Sequence, residues 1–255
     1  MCCFSGHVKS VSATNIFARK SESDRQFVVY SMTIDMAKPL AMVLPIPVKK
    51  GSDEKAVRFI DLENYQNFFG DLDSGFPRPI SRSDSMQNLG VEPESAHILE
   101  VVQVGNFEAS FVPTVKDFSR LDERFRMPPD LFAKLPEYRH FGFAVFKLKP
   151  GAQTVHPMAF EFPTALEPQV FFPTVHVHDG KVHDRAKFDH VLYCQPSGET
   201  HLKLSAWAES PKIAKHFVDV KKSSGLVLAD EHCYKREMRG LLPNKDTILE
   251  MLKNS

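Results

Sequence analysis

The sequence predicts an α+β protein built mainly from antiparallel β-sheet with a few short helices. Three observations predict it. Aromatic and branched residues recur with a period of two, as in Phe141, Phe143 and Val145, and again in Met158, Phe160 and Phe162. The turn dipeptides Gly105-Asn106 and Asp179-Gly180 separate such runs. There is no internal repeat and no regular alternation of strand with helix.

The elements follow in chain order. Residues 8–19 (Val8, Val11, Thr14, Ile16, Phe17) and 26–35 read as two strands around a polar turn at 20–25. Ala41 to Pro47 is a continuous apolar run that reads as a buried strand leaving its sheet at the prolines, which bring no N–H to a ladder. Val57–Leu62 reads as a short strand, and Glu63–Leu72 as a short helix with Tyr65, Phe68 and Phe69 on one side. Residues 73–97, rich in Ser, Pro, Asp and Asn, read as a flexible loop. Ile98–Gln103 and Phe107–Pro113 form a predicted hairpin, followed by two short helices at 117–125 and 129–135. Strands are then expected at 141–146, 158–162, 170–178, 188–194 and 202–208. Helices are expected at 212–220 and 245–253, the last with capping oxygens from Asn244, Asp246 and Thr247.

The chain has 255 residues, enough for a single globular domain spanning 1–255. Lys+Arg and Asp+Glu are each 32, so the net charge is zero. That balance argues against a nucleic-acid partner or an anionic membrane surface. No stretch has the roughly 18 apolar residues of a membrane span. Met1-Cys2-Cys3-Phe4 lacks the basic and apolar regions of an export signal, so the expected compartment is the cytoplasm and the four cysteines are expected as thiols.

Leu44-Pro45-Ile46-Pro47, Val102-Gln103-Val104-Gly105-Asn106-Phe107-Glu108, the Phe-Ala-Val-Phe-Lys-Leu strand at 143–148 and the Pro-Met-Ala-Phe strand at 157–160 carry a resemblance. Over roughly residues 8–172 the order of elements resembles an uncharacterised bacterial domain family of unknown function. The resemblance implies a fold and no activity, and it ends before the histidines considered next.

Residues 176–190 hold His176, His178, His183 and His190, where chance would place about 0.65 of a histidine. Asp179-Gly180 suits a two-residue turn that would pair His176 with His183. His176, His178 and His183 would then share one face, with His190 a fourth donor from the next strand and Asp179, Asp184 and Asp189 orienting the rings. Three imidazoles with an open position suit a transition metal, zinc or copper first. The local geometry resembles the zinc cradle of carbonic anhydrases and the metal sites of cupins.

Cys2 offers a second chemistry. With Met1 removed, its thiol and α-amine would form a nucleophile–base pair. Met1-Cys2 and the strand ending Ile16-Phe17-Ala18-Arg19 resemble the start of choloylglycine-type N-terminal-nucleophile amidohydrolases, which implies Cys2 as nucleophile and Arg19 as the neighbouring cation. Lys20-Ser21-Glu22 departs from the polar stretch of that family.

Three functions are therefore expected in turn. The first is a transition-metal-binding protein, a metal-dependent hydrolase or oxidoreductase activating water or dioxygen for a small-molecule or peptide substrate. The second is the cysteine amidohydrolase. The third is a non-catalytic binding module that uses the 73–97 loop as its contact surface.

Overall fold

The computed structural model describes residues 2–21, 24–77, 102–104, 107–121, 126, 132, 135–178, 181–196 and 204–250, with Cys2 and Val102 described by backbone alone. In chain order the strands are β1 (Cys2–Phe4), β2 (Ser10–Lys20), β3 (Arg25–Met36), β4 (Leu40–Ile46) and β5 (Arg58–Ile60). They continue with β6 (Val102–Val104), β7 (Phe107–Val112), β8 (Gly142–Leu148), β9 (Gly151–Pro163) and β10 (Val170–Phe172). The last are β11 (His176–Val177), β12 (Arg185–Cys194), β13 (Ala208–Ile213), β14 (His232–Pro243) and β15 (Thr247–Leu249). The short helix α1 (Phe68–Ser74) and several 3-10 turns lie between them among the described residues.

Two large sheets face each other. One has the order β11-β1-β4-β8-β7-β6, the other β13-β14-β12-β2-β3-β9-β5, and β10 pairs β15 separately. The main core lies between them, where Met42, Leu44, Phe111 and Phe146 of the first meet Ile16, Tyr30, Phe160 and Leu192 of the second. Each sheet is also covered on its outer face. Phe118, Phe132, Leu135 and Tyr138 lie over Val43, Phe143 and Val145. Phe68, Phe69 and Leu72 of α1 lie over Phe17, Val29 and Tyr193. A strand covered on both faces has no polar side to present, which is why β4 is apolar throughout and buried at every residue.

Most ladders are antiparallel, but β2 pairs β12 and β1 pairs β11 in parallel. Pro45 sits inside β4, opposite Phe143, instead of ending the strand. It is tolerated because β1 reaches only Val43 and Met42, so β4 needs no N–H on that side at residue 45. At the close of α1 the ring of Phe217 would lie 2.6 Å from a Cβ on Gly75, so only glycine admits it there.

Several expected elements differ. The helix expected at 63–72 is a 3-10 turn at Glu63–Tyr65 and then α1, which takes residues 73 and 74 of the expected loop. The rest of that loop from 78, the Gly105-Asn106 turn and most of the helix at 129–135 lie outside the described residues. The helix at 117–125 is a 3-10 turn over Val115–Arg120, with 122–125 outside the described residues. Residues 204–207 form a turn closed by the Trp207 N–H on the Leu204 carbonyl, so the strand starts later, at Ala208. The helix at 212–220 is the end of β13 followed by a 3-10 turn at Ala214–His216. In place of the helix expected at 245–253, Thr247–Leu249 form β15, because Ile248 and its neighbours pair with β10, and 251–253 lie outside the described residues. β1 and the 12-residue β14 were not expected at all.

Candidate functional site

The predicted strand at 170–178 is divided between two sheets, and this decides the fate of the histidines. β10 pairs β15, whereas β11 runs parallel to β1, with Cys2 opposite His176 and Cys3 opposite Val177. Residues 181–183 form no strand, and Asp179-Gly180 lies outside the described residues. The hairpin that would have set His183 opposite His176 is therefore not formed.

Side chains of a distant loop take the place of the missing strand. The Asn244 Oδ1 accepts from the His176 N–H at 2.8 Å. Its Nδ2 donates to the carbonyls of His176 and His183, each at 2.9 Å. Asp246 Oδ1 accepts from the backbone N–H of Thr174 at 2.8 Å and of Val175 at 3.0 Å. Its Oδ2 accepts from the buried Tyr138 hydroxyl at 2.6 Å. Asn244 and Asp246 thus cap a backbone, as their residue types suggest, but the backbone leading into β11 and not that of a helix.

Among the candidate donors, the rings of His176, His178 and His190 gather. His176 lies 4.7 Å from His178 and 4.6 Å from His190 by ring centroid, with Phe188 packed against both His176 and His190. Phe4 of β1 closes the far side of His178 at 5.5 Å. His183 is exposed, and its carbonyl is held by Asn244. His190 is 0% exposed, and its Nε2 lies 3.1 Å from the Nε2 of His176.

Of two ring nitrogens that close, one donates to the other, and burial keeps both rings neutral. Burial holds the His176 imidazolium down to about 3, with His178 beside it lowering it further. Burial and then the neighbouring His176 hold His190 well below the usual imidazole range. Asp189 Oδ1 lies 4.0 Å from His190 Nδ1, beyond hydrogen-bond reach. The other Asp189 oxygen accepts from the Ala13 N–H at 2.6 Å, so this carboxylate is tied to β2.

The metal-binding reading is corrected by this arrangement. Among the described residues no group of three or more His, Cys, Asp or Glu side chains is placed to hold a metal ion. The physical reason is the parallel pairing of β11 with β1, which replaces the hairpin that would have set His183 opposite His176, while the facing nitrogens of His176 and His190 bond to each other. The catalytic metal chemistry built on those four histidines falls with it.

Of the cysteine chemistry the structure describes the surroundings alone, since the Cys2 side chain lies outside the described residues. Arg19 donates to the carbonyls of Leu226 at 2.6 Å, Lys20 at 2.7 Å and Gly225 at 2.6 Å, and its guanidinium lies 4.8 Å above the Phe27 ring. The cation expected beside Cys2 is committed to closing the 225–226 loop, and burial lowers it to about 10. Cys3, Cys194 and Cys233 are buried and form no disulfide among the described residues. Burial pushes Cys194 well up and Cys233 to about 12, so neither is a thiolate at neutral pH. Among the described residues, no helix is long and apolar enough to cross a membrane.

No family model matches the sequence. Solved structures do match the fold. A mutated baculovirus P35 after caspase cleavage is 15% identical with a TM-score of 0.50, over 95% of this chain and 100% of that one. Baculovirus P35 itself is 15% identical with a TM-score of 0.48, over 96% and 98%. The caspase-8/P35 complex gives 15% and 0.46, over 95% and 97%. The first of these supports a shared fold.

Proposed function

We propose that this chain is a non-catalytic protein-binding module whose partner is a cysteine protease of the caspase class. The observation that carries the proposal is the fold likeness to a P35 cut by a caspase, which spans 95% of this chain and 100% of the other. A likeness end to end leaves little of the chain for a separate catalytic unit.

The described residues fit this role better than a catalytic one. A protease-binding scaffold works by holding a peptide segment on rigid supports, so that little ordering entropy is lost on binding. Residues 78–100 join two firmly anchored points. On one side, Asp73 at the end of α1 accepts from the Tyr193 hydroxyl at 3.0 Å and from Lys235 Nζ at 2.6 Å. On the other, β6 pairs with β7 at the edge of the six-stranded sheet. Caspases cut after aspartate, and Asp84 is the one aspartate in residues 78–100.

The test is incubation with active caspase-8, with residual protease activity and cleavage of this chain followed together. The expected outcome is stoichiometric loss of caspase activity with a cut after Asp84, and Asp84→Ala removing both. Full caspase activity beside an intact chain would overturn the proposal.

A further inference from the structure

A groove of about 540 Å³ lies where the chain leaves α1 for residues 78–100. Phe76, Pro77, Ala208 and Pro211 supply its apolar walls, and Glu209, Lys235 and Glu237 are among its polar ones. A mixed lining of this kind is the composition of a non-obligate protein interface. The groove is also preformed. Lys235 Nζ, on a side chain only 6% exposed, lies 2.6 Å from Asp73 Oδ1 and 3.4 Å from Glu237 Oε1. The same ammonium lies 5.8 Å from the centroid of the Phe76 ring, which packs against Tyr193 at 6.0 Å. Tyr193 in turn donates to Asp73. The wall and the end of α1 are thus locked to β12 and β14 before any partner arrives, so little ordering entropy is lost on binding there.

We propose that this groove is a second contact for the protease that engages Asp84, and that it takes a lysine or arginine side chain from the protease surface. The inference rests on the protease-binding proposal and deepens it. Pro77 lies seven residues before Asp84, at most about 25 Å of chain. Even a small domain is about 30 Å across, so a protease seated on Asp84 has a body wide enough to overlie the groove. A cut segment held by the cleft alone leaves as product does. A stable complex draws on about 20–30 residues from each side, more than a cleft takes from one extended segment. The remainder comes from the folded body, and the groove is where that body meets the root of the segment.

The chemistry of the occupant follows from the walls. Pro77 and Pro211 are exposed and offer apolar surface to the stem of a long side chain. Glu209 offers the charge. Its side chain is 54% exposed, and its one ion contact among the described residues is the imidazole of His232 at 3.7 Å. The other carboxylate, Glu237, is shared between Lys235 and Arg239 within the fold, so Glu209 is the one placed to meet a cation from outside. A cation there also explains a mixed lining: an all-apolar groove would receive the stem and reject the charge.

The experiment mixes active caspase-8 with the full chain, as wild type, Ala208→Arg or Glu209→Lys, with circular dichroism confirming the fold of each. Both substituted residues are exposed. The quantity followed is the number of chains cut for each protease inactivated. Wild type is expected to act one for one. Each variant is expected to raise the number at least about tenfold, because the protease escapes after the cut. Raising the salt from about 50 to about 500 mM should raise the wild-type number and leave that of Glu209→Lys where it is. Variants that inactivate the protease one for one would overturn the inference and leave the protease-binding proposal standing. A wild type that leaves caspase-8 fully active would overturn both.

Discussion

The β2–β3–β9 ladder and the β11 corner hold their strands in opposite ways. In the ladder, β3 pairs β2 from Lys20 to Ser10 and β9 from Arg25 to Met36, so backbone bonds repeat along the strands and no single side chain matters to pairing. At the corner, β11 has two residues and one partner strand, and the remaining backbone groups are met by Asn244 and Asp246. The ladder is redundant. The corner concentrates its hydrogen bonds in two side chains about 70 residues away along the chain. The difference shows where this fold is open to single substitutions.

The largest expected effect follows directly. Asp246→Ala leaves three buried donors without an acceptor, the N–H groups of Thr174 and Val175 and the hydroxyl of Tyr138. The loss should be about 3–5 kcal/mol in urea unfolding. A loss below about 1 kcal/mol would mean that the corner is as redundant as the ladder.

Acid should act on the corner next. The folded values of His176 and His190 lie below that of a free imidazole, so the unfolded chain binds protons that the folded chain refuses. Their contribution is complete above about pH 6.5 and is lost as pH falls towards the folded values. For His176 alone, held to about 3, the loss at pH 5 is about 2 kcal/mol. Thermal unfolding from pH 8 to pH 5 should show this limb, and His176→Asn should flatten it. An equally steep acid limb in that variant would assign the sensitivity elsewhere.

The smallest effect belongs to the ladder. Thr33 and Thr154 face each other across β3 and β9 at 3.1 Å on an exposed surface. Thr33→Ala should cost within about 0.5 kcal/mol, because only a solvated cross-strand contact is lost. A larger loss would show that the ladder too relies on individual side chains.

The same contrast explains what the sequence makes legible. β2, β3, β8, β9 and β12 are rich in β-branched and aromatic residues, and local pattern suffices to place them. β14 is not visible because His232–Pro243 is dense in charge and buries only Cys233, Lys235 and Met238, too few for a period of two. β15 fails for a similar reason: Thr247 to Leu249 gains its strand character from β10.

At the candidate site, the spacing of His176 and His178 does put their rings side by side, since it depends only on strand alternation. The place of His183 depends on whether a two-residue strand prefers its own sequence neighbours or β1, and no local pattern carries that information. Asn244 and Asp246 are visible as capping residues, but the group they cap is settled only by the tertiary fold.

The parallel pairing of β2 with β12 has a consequence for how the molecule is made. A nascent chain can close β2, β3 and β9 once residue 163 has emerged, but the other side of β2 waits for residues 190–194. β1 likewise cannot be flanked on both sides until residues 176 and 177 appear. At about 5–20 residues per second, the first strand of the seven-stranded sheet waits on the order of ten to thirty seconds on the ribosome for its second neighbour. During that interval an apolar edge containing Ile16 and Phe17 faces the cell uncovered, so the yield of folded protein should depend on the speed of translation across the middle of the message and on chaperones that hold bare strand edges.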